Sequence, residues 1–300
     1  MNHLNNLTDV EKFISTTDLT TLKRDELLEL NLITDELKRR KLQGECRENF
    51  LTFVRTMWSS FIEGAHHRIM CEQFNKIAKG ELKRVIINMA PRHSKSEMSS
   101  YMLPSWLLGI RPDLKIIQAT HTGELAVRFG RKVRDLVDTR EYKEIFPNVS
   151  LRADSKAAGR WETTEGGEYF ASGVGGAITG RGADILIIDD PHSEQDALSE
   201  TAMEMAYEWY TSGPRQRLQP GGVIILVMTR WSKKDLTGQL LKAQMSDLKA
   251  DKWELIEFPA IMPSGKPVWE EFWKIEELEG IRASLPHSKW SAQWLSLIHI

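Results

Sequence analysis

An α/β fold with a mostly parallel, doubly wound sheet is what this 300-residue sequence predicts. Three observations carry the prediction. Short apolar runs at 85–87, 185–188 and 223–228 each end in polar residues. A fourth run, 115–119, leads through T-H-T-G into a helical stretch, and further amphipathic helices separate the runs. Strands that are apolar throughout and alternate with helices belong to a sheet covered on both faces.

Taken in chain order, 7–42 has helical periodicity with many charges, starting from the cap-like Thr8-Asp9 and starting again over 23–41. It reads as an N-terminal helical appendage, residues 1–45. Residues 50–79 form an amphipathic helix (Phe53, Met57, Phe61, then Ile69, Phe74, Ile77) that leads into the first strand. That strand ends in A-P-R-H-S-K-S-E, residues Ala90, Pro91, Arg92, His93, Ser94, Lys95, Ser96 and Glu97. A strand, a turn with Lys-Ser and then a helix is the layout of a phosphate-binding loop. Free amides and the positive dipole end of the helix face an anion there. Lys95 would reach the β/γ oxygens, Ser96 would ligate magnesium, and Arg92 and His93 would add donors. The pattern G-x-x-x-x-G-K followed by Ser or Thr has glycine where this chain has Met89 and Ser94. A left-handed Ser94 would cost about 1–2 kcal/mol and a right-handed one little. By itself the segment reads equally as an ordinary polar strand-to-helix turn.

About 95 residues further on, the run 185–188 ends in Asp189-Asp190-Pro191. Carboxylates at a strand's carboxyl end sit where open α/β sheets bind ligands. Asp189 would hold magnesium, and Asp190 would polarise an attacking water. A D-P turn after a buried strand is the alternative. The run 223–228 ends in Thr229 and Arg230, a hydroxyl and a guanidinium placed to sense a γ-phosphate and pass hydrolysis on as motion. The two sites together, in this order, favour an ATPase with ATP and Mg2+ as its ligands.

These residues resemble the large terminase subunit of tailed bacteriophages, the motor that packages DNA into procapsids. The likeness lies in A-P-R-H-S-K-S-E at 90–97, G-V-G-G-A-I-T-G-R-G-A-D-I-L-I-I-D-D-P at 173–191 and V-M-T-R-W-S-K-K-D-L at 227–236, with E-L-A-V-R-F-G at 124–130 and Y-K-E-I-F-P at 142–147 between them. It runs from about Phe50 to Trp294. The resemblance implies a P-loop NTPase of RecA/ASCE-like type over 46–262, with Lys95 and Ser96 as the Walker A pair and Arg92 as an added phosphate contact. Asp189 and Asp190 would be the Walker B pair, and Thr229 and Arg230 part of the coupling motif. Arg181 would be an arginine inserted into a neighbouring subunit's site, where it stabilises charge on the transferring phosphoryl group; a loop cation beside a glycine turn is the plain alternative. Ser94 departs from the family's usual glycine, which bears on affinity or rate. Implied partners are double-stranded viral DNA, the portal protein, the small terminase subunit and further copies in a ring on the portal. The implied place is the host cytoplasm, outside the mature virion.

Family members also carry an RNase H-type nuclease that uses clustered acidic residues and two metals. Three hundred residues suffice for one large domain and are short for both. The Pro-, Gly- and Trp-containing text from 263 reads as a linker, so 263–294 is expected to be a linker and the start of a truncated nuclease, without nuclease activity here. Glu276, Glu277 and Glu279 read as a solvated helix face. Residues 295–300, L-S-L-I-H-I, match the translation of a transposase adaptor used for sequencing libraries and are set aside as a scar. An apolar natural terminus is the alternative.

The remaining composition narrows the classes. With 40 basic and 42 acidic residues the formal net charge is −2, so any nucleic-acid contact is local. Its best candidate is the 128–140 helix, with Arg128, Arg131, Lys132 and Arg134 followed by Lys143, although such charges usually solvate a helix face. Lys233-Lys234 is weaker. Cys46 and Cys71 are too few for a disulfide framework and no Cys/His spacing suits zinc. His66-His67 reads as a polar helix start. Trp58, Trp106, Trp161, Trp209 and Trp231 read as packing, with walls of a nucleotide pocket as the alternative for Trp209 and Trp231. No run is long enough to span a bilayer. The rival readings are another P-loop DNA translocase or helicase, and a nucleotide-binding module whose Ser94 impairs hydrolysis.

Overall fold

The computed structural model describes residues 6–17, 19–178 and 180–297. Helices α1 (Leu7–Thr16) and α2 (Arg24–Glu48) come first, then α3 (Phe50–Met57) and α4 (Ala65–Ala78). Strand β1 (Arg84–Met89) enters the loop that carries Arg92 to Ser94. The helix after it opens into a wide π turn, Glu97–Met102, before continuing as α5 (Leu103–Ile110). There follow β2 (Lys115–Thr120), α6 (Gly123–Val137), α7 (Arg140–Ile145), β3 (Leu151–Ala157), β4 (Arg160–Thr163), β5 (Glu168–Gly173) and β6 (Ala183–Asp189). The chain continues through α8 (Glu200–Ser212), β7 (Leu218–Met228), α9 (Leu236–Ser246), β8 (Glu254–Phe258), α10 (Ile275–Ser284) and α11 (His287–Gln293).

Eight strands make one sheet in the order β3-β4-β5-β2-β6-β7-β1-β8. The neighbours from β5 to β8 all pair parallel, and β4 and β3 add an antiparallel edge. This is the mostly parallel, doubly wound sheet expected from the apolar runs. Side chains alternate between its faces, as the strand period requires. Val85, Ile87 and Met89 point into the core shared with α3 to α7. Ile86, Leu186, Ile188, Leu226 and Met228 point the other way, toward Tyr210 of α8 and Leu236 and Leu240 of α9. One relation arranges the polar strand ends: β7 lies between β1 and β6, so the end of β7 separates the loop from the two aspartates.

Three local expectations are corrected, and the packing reading of Trp209 and Trp231 holds. The first cap is Asn6, whose side chain accepts from the Asp9 N–H at 2.9 Å, and Thr8-Asp9 lies inside the first turn. The 50–79 helix is two helices, broken at 58–64, where Glu63 accepts from both Arg55 and Arg68 at 2.6 Å. Trp209 and Trp231 are on the α8–α9 side, packed with that core. The stretch expected as a free linker is packed: Val268 and Trp269 are buried, the Val268 N–H donates to Ala260, and Ala90 of the loop shares a cluster with Ala260, Leu278, Trp290 and Trp294. Tryptophans each bury a large area, and Trp269, Trp290 and Trp294 favour packing over extension here. Of the residues set aside as a scar, Leu295 joins this cluster and the Leu297 N–H donates to Ser291 at 2.8 Å; 298–300 lie outside the described residues.

Charge placement agrees with the plainer readings. On α6 and beyond it, Lys132 pairs with Glu97, Arg134 with Asp135 and Lys143 with Asp138. Glu277 caps α10 by accepting from the Lys274 N–H. Both cysteines are buried and free. No helix of the described residues is long and apolar enough to cross a membrane.

The antiparallel edge is seated on α6 through Gly130. A Cβ there would lie 2.5 Å from the Ala158 carbonyl oxygen and 2.9 Å from the Tyr169 ring. Gly130→Ala gains about 1 kcal/mol of helix propensity. The clash is with backbone and cannot swing aside, so overpacking of about 1–3 kcal/mol outweighs that gain. The expected outcome is a lower urea midpoint with an unchanged slope; a raised midpoint would show that the edge hairpin yields freely.

Candidate nucleotide site

The loop after β1 is a turn through residues 91–94, with the helix starting at Lys95. Two of its non-glycine residues are left-handed, Arg92 at φ 61° and Ser94 at φ 60°. The costlier of the two conformations open to Ser94 is therefore the real one, at about 1–2 kcal/mol. Its hydroxyl donates to the His93 carbonyl at 2.7 Å and meets Nε2 of His67 at 2.5 Å. Helix geometry changes just beyond, in the π turn at Glu97–Met102; such turns occur often at functional sites. It carries Ser100 to the same carboxylate that Ser96 reaches.

That carboxylate is Asp189, almost wholly buried at the end of β6. One oxygen accepts from the Ser96 hydroxyl at 3.0 Å and the other from Ser100 at 2.8 Å, while Gln118 of β2 donates to Ser100 at 2.9 Å. Burial and, next, the charge of Asp190 raise its pKa to about 7, against the opposing pull of Lys95 and the two serines. Asp190 is strained at φ 42° and bonds Lys95 Nζ at 2.9 Å. Its other oxygen accepts from the Thr229 N–H at 2.7 Å. Lys95, Ser96, Asp189, Asp190 and Thr229 are thus brought together at one sheet edge.

Three residues assigned from the sequence stand apart. Arg230 is buried and bonded to Asp235, the cap of α9, at 3.0 Å, and to Glu257 at 3.5 Å. Asn88 joins the same network through Glu257 and Thr237. Arg230 therefore ties β7 to α9 and β8 instead of facing Lys95. Arg181 precedes β6 and so stands at the opposite edge of the parallel strands, paired with Glu168 and lying 4.1 Å over the Phe170 ring. His93, expected as a further donor, is instead buried beneath the loop with Nδ1 at 2.8 Å from the Pro91 carbonyl, while Glu97 bonds Lys132 at 2.5 Å and lines the cavity over the loop beside Ser96.

Sequence reasoning passes over the floor of the site. His66 and His67 are fully buried, as is His93, and all three rings lie near Trp269. Burial, with the neighbouring His93 charge, lowers His66 to about 4. Burial with His66 takes His67 to about 2, and burial with Lys95 takes His93 to about 4. The Gly64 N–H donates to Nδ1 of His67 at 2.9 Å, so the proton is on Nε2, facing Ser94. Two histidines in the first turn of a helix leading to the loop strand, just beyond Gly64-Ala65, are the available signal. Their polarity suggests solvent. Above the loop lies a cavity of about 660 Å³ lined by Lys95, Ser96 and Arg92 on one side and by Trp58, Phe61, Trp269, Phe272 and Trp273 on the other. Polar groups beside aromatic walls suit a ligand with anionic and planar parts. Ser96 and Asp189 offer the hard oxygen atoms that magnesium takes, with room for phosphate oxygens to complete the set.

No family model and no curated protein matches the chain. Solved structures do. The HK97 bacteriophage large terminase is similar with a TM-score of 0.48 and 13% identity, over 75% of this chain and 49% of that one. The ATPase domain of the Thermus phage P74-26 large terminase is similar with 0.48 and 16%, over 73% and 89%. The large terminase of a thermophilic bacteriophage, in complex with ADP, is similar with 0.47 and 9%, over 76% and 53%. The chain spans about half the length of the HK97 protein and of the ADP-bound one. Its own sheet places one strand, β7, between the loop strand and the aspartate strand.

The buried histidines set a pH dependence. In the unfolded chain each takes a proton near pH 6.5, while the folded state refuses it down to about 4 for His66 and His93 and about 2 for His67. Their stability contribution is thus full above the unfolded value and lost as pH falls through that window. Asp189, raised in the fold, acts oppositely and softens the loss. The expected result is a fall in Tm from about pH 7 to about pH 5, steeper in Asp189→Asn than in the parent. A flat profile in both proteins would mean the three rings take up protons in the fold at the same pH as in the unfolded chain.

Proposed function

We propose that this chain is the ATP-hydrolysing motor domain of a large terminase, driving double-stranded DNA into procapsids. One observation carries the reading: Lys95 is 2.9 Å from Asp190 beside an Asp189 held by Ser96 and Ser100, at the mouth of an aromatic-walled cavity. The motifs of the resemblance fall on these residues.

In the proposed cycle the Lys95 ammonium leaves Asp190 for the β/γ oxygens of ATP, and loop amides and Arg92 hold the remaining phosphate charge. Asp190 is then free to accept a proton from the attacking water, and the Thr229 N–H keeps its carboxylate aimed. Ser96 and Asp189 would hold magnesium, which neutralises charge on the transferring phosphoryl group. The Ser100 hydroxyl, locked by Gln118, fixes the orientation of Asp189. Aromatic rings over the loop take the planar base. Thr229 joins the Asp190 carboxylate to the β7 end, and Arg230 carries displacement of that strand to α9 through Asp235. Arg181 is too far round the sheet to serve its own site, and the reading gives it to the next subunit. A ring on the portal, delivery of DNA by the small subunit, and assembly in the host cytoplasm rather than in the mature virion complete the proposal. The strained Ser94 favours one rival, a nucleotide-binding module with impaired turnover.

The motor reading is tested by DNA-stimulated ATP hydrolysis in the presence of portal. Lys95→Ala should lose about 10²-fold or more in turnover. Magnesium-ATP bound by the parent without turnover, even on portal with DNA, would replace the motor with the binding module. For Arg181→Ala, turnover should fall by about 10³-fold with nucleotide affinity retained. Mixing it with Lys95→Ala subunits should restore part of the rate, since one variant supplies the arginine and the other the intact loop. No recovery on mixing would remove Arg181 from the reading.

A further inference from the structure

We propose that His67 is a positioning residue for the phosphate loop: a buried imidazole strut that holds Ser94 left-handed and so replaces the glycine such loops have at that place. The proposal rests on the nucleotide-binding reading of the loop. Its geometry is closed at both ends. Nδ1 accepts from the Gly64 N–H at 2.9 Å, which puts the ring proton on Nε2. Nε2 faces the Ser94 hydroxyl at 2.5 Å, and that hydroxyl donates onward to the His93 carbonyl at 2.7 Å. The result is one directed chain, His67 to Ser94 to the backbone of the loop itself.

The ring cannot swing away. Phe61 and Trp269 each lie 4.9 Å from it, and His66 lies 3.8 Å away. Glycine reaches φ near 60° without penalty and needs no brace. Serine does not. Its hydroxyl is the one handle through which a neighbour can hold the backbone there, and His67 grips it. With the strut lost, the Ser94 backbone relaxes toward the right-handed region, and the amide and side chain of Lys95 turn with it.

His67 also caps α4, so its two nitrogens must be separated. Asparagine keeps an acceptor near the Nδ1 position and falls short of Ser94. Glutamine puts a donor near the Nε2 position. With a fluorescent ATP analogue and magnesium as the probe, His67→Asn should weaken binding by about tenfold and His67→Gln by much less. Ser94→Gly alone should bind at least as tightly as the parent and turn over as fast or faster. In the Ser94→Gly background, His67→Asn should cost less than about threefold, so the two changes are non-additive. Equal losses in both backgrounds, or a harmless His67→Asn, would overturn the strut.

A second readout needs no nucleotide. The drop in unfolding temperature caused by His67→Asn should shrink in the Ser94→Gly background, and the 15N shifts of His67 should report the Nε2–H tautomer. If the parent binds no nucleotide, the proposed function fails while these two measurements still decide the strut. An additive unfolding cycle or the Nδ1–H tautomer overturns it.

Discussion

The carboxyl edge of the sheet depends on the ion pair between Lys95 and Asp190. Lys95 is nearly buried, and two aspartates stand next to each other within its reach. A buried ammonium without its partner costs about 3–5 kcal/mol. Asp189 turns its two oxygens to Ser96 and Ser100, and Asp190 supplies the partner. Asp190 can only do so by adopting an unfavourable backbone at φ 42°. The left-handed aspartate turns its carboxylate to the loop and to the Thr229 N–H at once. An edge with two adjacent carboxylates and one ammonium is short of positive charge, and burial magnifies the shortage. That imbalance, with burial first, raises the Asp189 carboxyl.

Strain recurs around this pair. Arg92, Ser94 and Asp190 are all left-handed, and all lie at the mouth of one cavity or on its ion pair. Strained backbone persists only where surroundings over-determine it. Here the surroundings are unusually stiff: three neutral histidines, wedged among Phe61, Trp269, Trp273 and Trp294, underlie the loop. Rings without charge suit this place, since a cation beneath Lys95 would oppose it. The burial that keeps them neutral and the proximity of Lys95 to His93 act in the same direction.

Much of this is legible in residue order. The apolar runs locate β1, β2, β6 and β7, because a strand buried on both faces must be apolar throughout. Lys95-Ser96, Asp189-Asp190 and Thr229 are visible as polar residues at strand ends, and the sheet brings those together. Arg230 misleads because a terminal arginine looks the same whether it faces a ligand or binds Asp235 and Glu257. His67 misleads because polarity suggests solvent, whereas a neutral imidazole with a donor at one nitrogen and an acceptor at the other is satisfied in a core. The tryptophans of 269–273 look like part of a linker because their partners, Ala65–Ala78 and the loop, are about two hundred residues away in the chain.

By itself the sequence determined the periodicities, and with them the strands, the helices and which polar groups stand at strand ends. Those are local properties, set by side-chain spacing along a few residues. Tertiary structure alone decided that β7 separates β1 from β6, that Ser94 is left-handed and gripped by His67, and that Arg181 stands at the far edge from Lys95. Each of these depends on which segments, remote in the chain, exclude water together, and burial of that kind leaves no pattern within either segment.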